Sequence, residues 1–510
     1  MIERALAALK GRSAYLAAAG LGAVQSLAFA PRALAPLGIL CLTGLWWLTQ
    51  GARPGRAAWL GFAFGFGLFL AGTYWLYISI HLTGGAPAAL ALLLMFGLIA
   101  IMGGYLALLC ALVARFKART ALAQALLVLP ASWVLIEWLR GWVLSGFPWL
   151  ALGYSQIDTP IAGFAPIVGV YGVSLAAAVT AGALLALLTD SGRERLWAVA
   201  VALLFWVLGA GLARLQFTAP SGPGLSVAVI QGAIPQDLKW QEDNRLHTLV
   251  VYRELTERAW GSRLIVWPEA ALPALYHELR PYLGQLEADA VAHHADLMLG
   301  LLRYDFQNDR FYNALLALPS GDWYSKRHLV PFGEYFPVPS FIRTWMRLKN
   351  LEYVDMSPGA ANQAPLAAAG QKFAATVCYE DAYGSAQLAT LKDATLLVNV
   401  SNDAWFGGSS APHQHLQITR MRSLEAGRYM VRATNNGISA LIDARGHVIA
   451  RSPQFVADVL RGEVVPYAGL TPYARAGNWP IVLICILALL SAWASGRWRG
   501  TAGGNAGPNS

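Results

Sequence analysis

Long apolar runs fill the first two-fifths of the chain and recur once near its end, with short polar breaks between them. A hydrocarbon core about 30 Å thick needs roughly 17–25 apolar residues per helix. Seven runs before residue 215 fit that requirement: 14–30, 34–50, 57–80, 86–114, 121–139, 160–189 and 196–213. An eighth lies at 479–496. The pattern predicts a multi-span α-helical membrane domain with eight transmembrane helices. Between residues 220 and 470 the pattern changes. Short β-prone runs at 225–231, 264–267, 297–302, 313–318, 373–378, 395–400 and 438–443 alternate with amphipathic segments at 241–260, 283–293 and 413–428. Strands alternating with helices predict a layered α/β domain, and this length is enough for one domain with its own core. The expected division is a transmembrane domain over 1–215, an α/β domain over 220–470, an eighth span at 479–496 and a small, polar, disordered tail over 500–510.

Composition agrees with a membrane protein. The 510 residues are 56% hydrophobic and 13% charged, with a mean hydropathy of +0.45, whereas a soluble chain carries about 25% charged residues. The formal charge of +9 is placed in a way that sets orientation. Loops on one side hold Arg4, Lys10, Arg12, Arg53, Arg56, Arg115, Lys117, Arg119, Arg193, Arg195, Arg497 and Arg499; short loops on the other hold Arg32 and Arg140. The positive-inside rule then puts both termini in the cytoplasm and the 220–470 domain on the outer face, the periplasm of a bacterium. No Lys/Arg run and no zinc or RNA-binding signature is present, which argues against nucleic acid. Ala28-Phe29-Ala30 resembles a signal-peptide cleavage site, but Pro31 follows at once, and an uncleaved first span is expected.

Three ends of β-prone runs carry the candidate chemistry. Leu264-Ile265-Val266-Trp267-Pro268-Glu269 runs from a buried strand into a carboxylate. In Tyr324-Ser325-Lys326-Arg327-His328-Leu329-Val330-Pro331-Phe332-Gly333-Glu334 a lysine and a glutamate flank a rigid Pro-Phe-Gly turn. Phe373-Ala374-Ala375-Thr376-Val377-Cys378-Tyr379-Glu380-Asp381 delivers a cysteine into acidic residues. Cys41, Cys110 and Cys485 lie in membrane runs, so Cys378 has no disulfide partner in its own domain. A lone cysteine is ordinarily a small buried hydrophobe. Next to Glu269 and Lys326 it can be more. A carboxylate can take the thiol proton, and an ammonium with a backbone N–H, here that of Tyr379, can stabilise an oxyanion. His413 and His415 read as surface or helix-start residues, and Gly407-Gly408 as a turn. No metal-ligand spacing competes.

The Glu269, Lys326 and Cys378 segments resemble the Glu-Lys-Cys triad of the nitrilase (carbon–nitrogen hydrolase) superfamily. Set behind seven spans and before an eighth, the chain is similar to that superfamily's membrane-bound branch, the apolipoprotein N-acyltransferase family. Val229-Ile230-Gln231-Gly232-Ala233-Ile234-Pro235-Gln236 with Lys239-Trp240, Leu329-Val330-Pro331-Phe332-Gly333-Glu334, Asn399-Val400-Ser401-Asn402-Asp403-Ala404-Trp405-Phe406 and Leu470-Thr471-Pro472-Tyr473 carry the likeness across the chain. The resemblance implies an αββα nitrilase-like sandwich on the outer face of a bacterial inner membrane. It implies a phospholipid acyl donor, a thioester on Cys378, and transfer to the α-amino group of a diacylglyceryl-cysteine apolipoprotein. Glu269 would be the general base and Lys326 the stabiliser of tetrahedral intermediates. Glu334 would assist the triad, and Trp240, Tyr379 and Glu380 would line the site. No cofactor or metal is implied, and a monomer is expected.

Two other readings stay open: a membrane-tethered amidase that resolves the acyl-enzyme with water, and a non-enzymatic transporter or assembly factor. The intact triad and the scarcity of ionisable residues at span centres weigh against the last. The loop holding Glu137, Arg140, Trp138 and Trp149 reads either as an aromatic interface belt or as a lipid-facing floor. The segment 339–349, with Trp345 and Met346 among cations, reads either as an arm in the headgroup layer or as a packed amphipathic helix.

Overall fold

The computed structural model describes residues 11–337 and 355–502. The 339–349 segment and the tail beyond residue 502 lie outside the described residues. The chain divides into two units, Met1–Leu215 with Ala476–Ser510, and Gln216–Arg475.

The first unit is helical. Its helices are α1 (Arg12–Gln25), α2 (Ala35–Thr49), α3 (Pro54–Thr73), α4 (Ala88–Arg115), α5 (Ala121–Arg140), α6 (Pro160–Thr189) and α7 (Arg193–Leu212), with a terminal helix Trp479–Ala502. Among the described residues α3 to α7 are long and apolar enough to cross a membrane. Ala35–Thr49 and Trp479–Ala494 are apolar but shorter, and α1 has 14 residues. The apolar runs outlast the helices because turns occupy their ends. A 3₁₀ turn at Ser26–Ala28 follows α1, and Ala33 takes a φ of 53° just before α2. Helix α6 is itself interrupted at Val168 and Gly169. Small residues let helices touch: a Cβ on Gly67 would strike the carbonyl of Ala19, and one on Gly182 that of Ala125.

The second unit opens and closes with a two-stranded ribbon, β1 (Thr218–Pro220) antiparallel to β14 (Tyr467–Gly469). Between them lie β2 (Leu225–Gln231), β3 (Leu264–Val266), β4 (Asp296–Asp305), β5 (Arg310–Leu318), β6 (Trp323–Ser325), β7 (Leu366–Ala368), β8 (Gln371–Val377), β9 (Leu396–Ser401), β10 (Met430–Thr434), β11 (Ala440–Ile442), β12 (Val448–Arg451) and β13 (Asp458–Val464). They form two six-stranded sheets, ordered β13-β2-β3-β4-β5-β6 and β12-β11-β10-β9-β8-β7. The central strands β2-β3-β4 and β8-β9-β10 are parallel, and the outer strands antiparallel.

Side chains alternate between two buried layers, as the period of two of a strand requires. Val227 and Val229 of β2, Phe373, Ala375 and Val377 of β8, and Leu396, Val398 and Val400 of β9 share the layer between the sheets. Ala228 and Ile230 face outward onto α8 (Glu242–Ala259) and α9 (Arg280–Ala292). Ala374 and Leu397 face outward beside α10 (Ala411–Ala426). Burial on both faces is why these strands read as continuous apolar runs. The result is the expected nitrilase-like sandwich of helices on paired sheets. The sequence reading placed no strand at 430–434, where β10 stands in the middle of its sheet. Its fully buried Arg432 breaks the apolar signal.

Candidate active site

Three strand ends each carry one of the candidate side chains. Strand β3 stops at Val266; the Trp267 N–H then donates to the Met298 carbonyl and the Ala271 N–H to that of Gly300, both at 2.8 Å. The backbone is thereby held against β4 while it turns outward at Glu269. Gly300 makes this possible, since a Cβ there would strike the Pro268 carbonyl and the Glu269 backbone. Gly300→Ala is expected to displace Glu269 and lower activity roughly 10²-fold, the cost of misplacing a reacting group by about 1 Å. Steady-state turnover checks this; unchanged turnover would show that Glu269 tolerates the shift.

Lys326 follows β6, its N–H donating to the Asn313 carbonyl at 2.8 Å. Its ammonium sits between two carboxylates, 3.2 Å from Glu269 Oε1 and 2.8 Å from Glu334 Oε1. Asn313 Nδ2 donates to the same two oxygens at 2.6 and 3.0 Å. The remaining oxygens are also engaged: Glu269 Oε2 accepts from the Asn402 N–H and Glu334 Oε2 from the Val330 N–H, each at 2.8 Å. Burial by itself would lower the Lys326 pKa. The charges of Glu269 and Glu334 outweigh it and hold the amine well above its ordinary range.

Cys378 begins a 3₁₀ turn directly after β8 with a φ of 54°. This left-handed backbone, uncommon for a residue with a Cβ, turns the thiol sharply off the strand. Burial, and then the Glu269 carboxylate, push the thiol far above its usual pKa against the opposing pull of Lys326. The resting site therefore holds a neutral thiol, a lysine cation and glutamates already committed to hydrogen bonds.

Glu380, expected to line the site, supports two of its segments. It is fully buried. Its Oε2 accepts from the Val377 N–H at 2.8 Å, and its Oε1 from the Arg327 and His328 N–H groups at 2.7 and 3.1 Å. Tyr324 donates to it as well. Glu380 thus ties the Cys378 turn to the segment carrying Lys326. Tyr379 is partly buried, its hydroxyl 3.1 Å from that of Tyr383. Trp240 is half-exposed after the short helix Gln236–Lys239, and the structure gives it no hydrogen bond to the triad. The Lys239 amine beside it is fully buried, has no hydrogen-bond partner among the described residues, and is lowered to about 8 by burial.

His415 is not at the surface. It lies buried on α10, with Nε2 2.9 Å from Asp381 Oδ1 and Nδ1 3.0 Å from Asp403 Oδ1. Arg432 closes the ring from β10, with Nη2 2.9 Å from Asp403 Oδ2 and Nη1 3.5 Å from Asp381 Oδ2. Thr419 donates to Asp381, and Ser401 to Asp403. Burial and Arg432 depress the imidazolium, but Asp381 and Asp403 overcome them and raise its pKa to about 9. A raised folded-state pKa gives stability that is complete below the unfolded value, about 6.5, and is lost as pH climbs through about 9. The stability difference between wild type and His415→Gln is therefore expected to shrink by about 3 kcal/mol across that window. Paired denaturation curves at several pH values check it, and a gap that stays constant would show that His415 is neutral throughout.

Sequence reasoning missed Asn313, Asn402 and this four-charge cluster. Asp381, Asn402 and Asp403 were within reach, because each lies inside a stretch already singled out. Asn313 and Arg432 sit in strands and give no local signal.

Residues 21–183 match the family described as "Apolipoprotein N-acyltransferase N-terminal domain", and residues 226–473 that described as "Carbon-nitrogen hydrolase". The apolipoprotein N-acyltransferase of Methylococcus capsulatus is 42% identical over 473 residues, covering 91% of this chain and 92% of its own. That of Nitrosomonas europaea is 40% identical over 498 residues, covering 95% and 97%. The crystal structure of a carbon–nitrogen hydrolase from Helicobacter pylori is similar at 16% identity and a TM-score of 0.35, over 51% of this chain and 94% of that one. Identity near 40% that runs through both units and spans nine-tenths of each partner leaves one assignment: this chain belongs to the apolipoprotein N-acyltransferase family.

Proposed function

We propose that the protein moves a fatty acyl group from a phospholipid to the α-amino group of an N-terminal diacylglyceryl-cysteine, through a thioester on Cys378. The observation that carries this reading is the Lys326 ammonium shared by Glu269 and Glu334 beside a buried, sharply turned cysteine. A thiol held neutral by burial needs a base, and Glu269 takes its proton. The thiolate attacks the ester carbonyl, a C–S bond forms, and the carbonyl electrons move onto oxygen. Lys326 and the Tyr379 N–H stabilise that oxyanion. Collapse breaks the C–O bond, and the proton on Glu269 passes to the departing lysophospholipid oxygen. In the second half the acceptor amine attacks the thioester. Glu269 takes the amine proton, the C–N bond replaces the C–S bond, and the proton returns to the thiolate.

Both substrates carry acyl chains, which suits a membrane anchor. On this reading all eight apolar segments cross the bilayer, both termini are cytoplasmic and the catalytic unit is periplasmic, in keeping with the distribution of basic loop residues.

Intact mass spectrometry of the protein with phospholipid alone, beside Cys378→Ala, tests the proposal. The expected result is a fatty-acyl adduct on the wild type only, discharged by a diacylglyceryl lipopeptide. An active protein without an adduct would overturn the thioester. An adduct discharged by water but not by the lipopeptide would make the protein an amidase-like hydrolase.

A further inference from the structure

The carbonyl oxygen of Cys378 is held from two sides. His415 Nε2 on α10 and Asn399 Nδ2 on β9 each lie 3.3 Å from it. Each ring nitrogen of His415 also faces a carboxylate oxygen, Asp381 at 2.9 Å and Asp403 at 3.0 Å. An acceptor at each nitrogen makes the ring a donor at both, so the Nε2 proton is shared between Asp381 and the Cys378 carbonyl. The ring cannot swing away, because Arg432 fixes both carboxylates and also bonds Asn399, the second donor. This cluster makes no ion pair with Glu269, Lys326 or Glu334 among the described residues. It reaches Cys378 in two ways: the Asp403 charge and the Ser401 hydroxyl act on the thiol, whereas His415 Nε2 meets the carbonyl.

A trans peptide points its N–H opposite to its carbonyl. The groups that fix the Cys378 carbonyl therefore also fix the direction of the Tyr379 N–H. At Cys378 the backbone is left-handed, with φ at 54°, a conformation that must be held by its surroundings.

We infer that His415 is a positioning residue for acyl transfer: by clamping the Cys378 carbonyl it turns the Cys378–Tyr379 peptide so that the Tyr379 N–H meets the oxyanion. This rests on the thioester reading above. His415 acts through the Cys378–Tyr379 peptide group. Removing it weakens steps that build negative charge on a carbonyl oxygen and spares steps that do not.

Two reactions of the same thiol separate these cases. Iodoacetamide alkylates Cys378 by displacing iodide at a saturated carbon, and no oxyanion forms. Acylation by phospholipid passes through one. Both rates are measured by intact mass on the full-length protein in detergent, for wild type, His415→Asn and His415→Gln. Asparagine reaches only the Nδ1 position, whereas glutamine carries an amide donor to the Nε2 position. The maximal acylation rate of His415→Asn is expected to fall roughly 10²- to 10³-fold, the cost of losing one oxyanion donor. Half-saturation by phospholipid and the alkylation rate are expected to stay near wild type, and His415→Gln to recover about tenfold of the lost rate. Equal losses in both reactions would reduce His415 to structural support of the turn, and no loss in either would remove it from the reaction. If His415→Asn does not fold, as read by its melting curve, the acylation-to-alkylation ratio of His415→Gln against wild type decides the same question. A wild type that alkylates but never acylates would overturn the thioester reading itself, a result distinct from either.

Discussion

Lys326→Met is expected to cost about 3–5 kcal/mol of stability and to lower acyl-transfer turnover roughly 10²- to 10³-fold. The lysine side chain is 1% exposed, and its two carboxylate partners are 8% and 11% exposed. Methionine fills the space but leaves two buried anions facing each other, joined only by the Asn313 amide. The stability loss comes from those stranded charges and the activity loss from the missing cation, so a second substitution separates them. Adding Glu334→Gln to Lys326→Met removes one anion and is expected to recover a large part of the stability and little of the turnover. Chemical denaturation and steady-state kinetics on the single and double variants read the two effects. A double variant as unstable as the single would mean that Lys326 stabilises the fold through packing of its stem.

Cys378→Ala makes the opposite pair of changes. Turnover is expected to fall by roughly 10⁴-fold or more, since the proposed covalent route disappears with its nucleophile. Stability is expected to move by no more than about 1 kcal/mol, because the thiol contributes little beyond a small buried volume. Residual activity within tenfold of wild type, in protein shown by mass spectrometry to be free of wild-type enzyme, would mean that the lysine and glutamates act without a covalent intermediate.

How far the sequence could be read depended on what kind of residue marked each feature. Glu269 and Cys378 stand out in the sequence because each ends an apolar run, an abrupt change from core to charge, whereas Lys326 stands out only by its spacing from Glu334 across the Pro-Phe-Gly turn. The sandwich was legible because its central strands are buried on both faces. Helix α10 shows where the signal fails. Gln414, His415, Gln417, Thr419, Arg422, Ser423 and Glu425 are all buried on it, so its composition resembles a solvated helix while its surroundings are interior. His415 and Thr419 are held by Asp381, His415 also by Asp403, and Arg422 pairs with Glu425, tertiary facts with no periodic trace. Strand β10 was hidden likewise by Arg432, whose partners Asp381 and Asp403 are 51 and 29 residues away. In the first unit apolar runs extend through turns, so eight runs correspond to five helices of spanning length and shorter apolar ones among the described residues.

The pairing of early strands with late ones bears on how the catalytic unit is made. Strand β2 completes its sheet edge only with β13, Gln231 opposite Asp458, and β1 waits for β14, Thr218 opposite Gly469. Such distant partners carry a large loop-closure entropy and belong to slow folding. A ribosome therefore releases most of this unit before its first sheet can close, and until then β2 presents an open edge able to pair with a foreign strand. Chains halted at residue 455 should be cut by protease many times faster than chains halted at 475, even though both contain Glu269, Lys326 and Cys378. Equal protection of the two would show that the second sheet and its helix stabilise the unit before β13 arrives. The late strand then works as a latch on assembly: a chain becomes a durable catalytic unit only when synthesis has nearly reached the terminal helix.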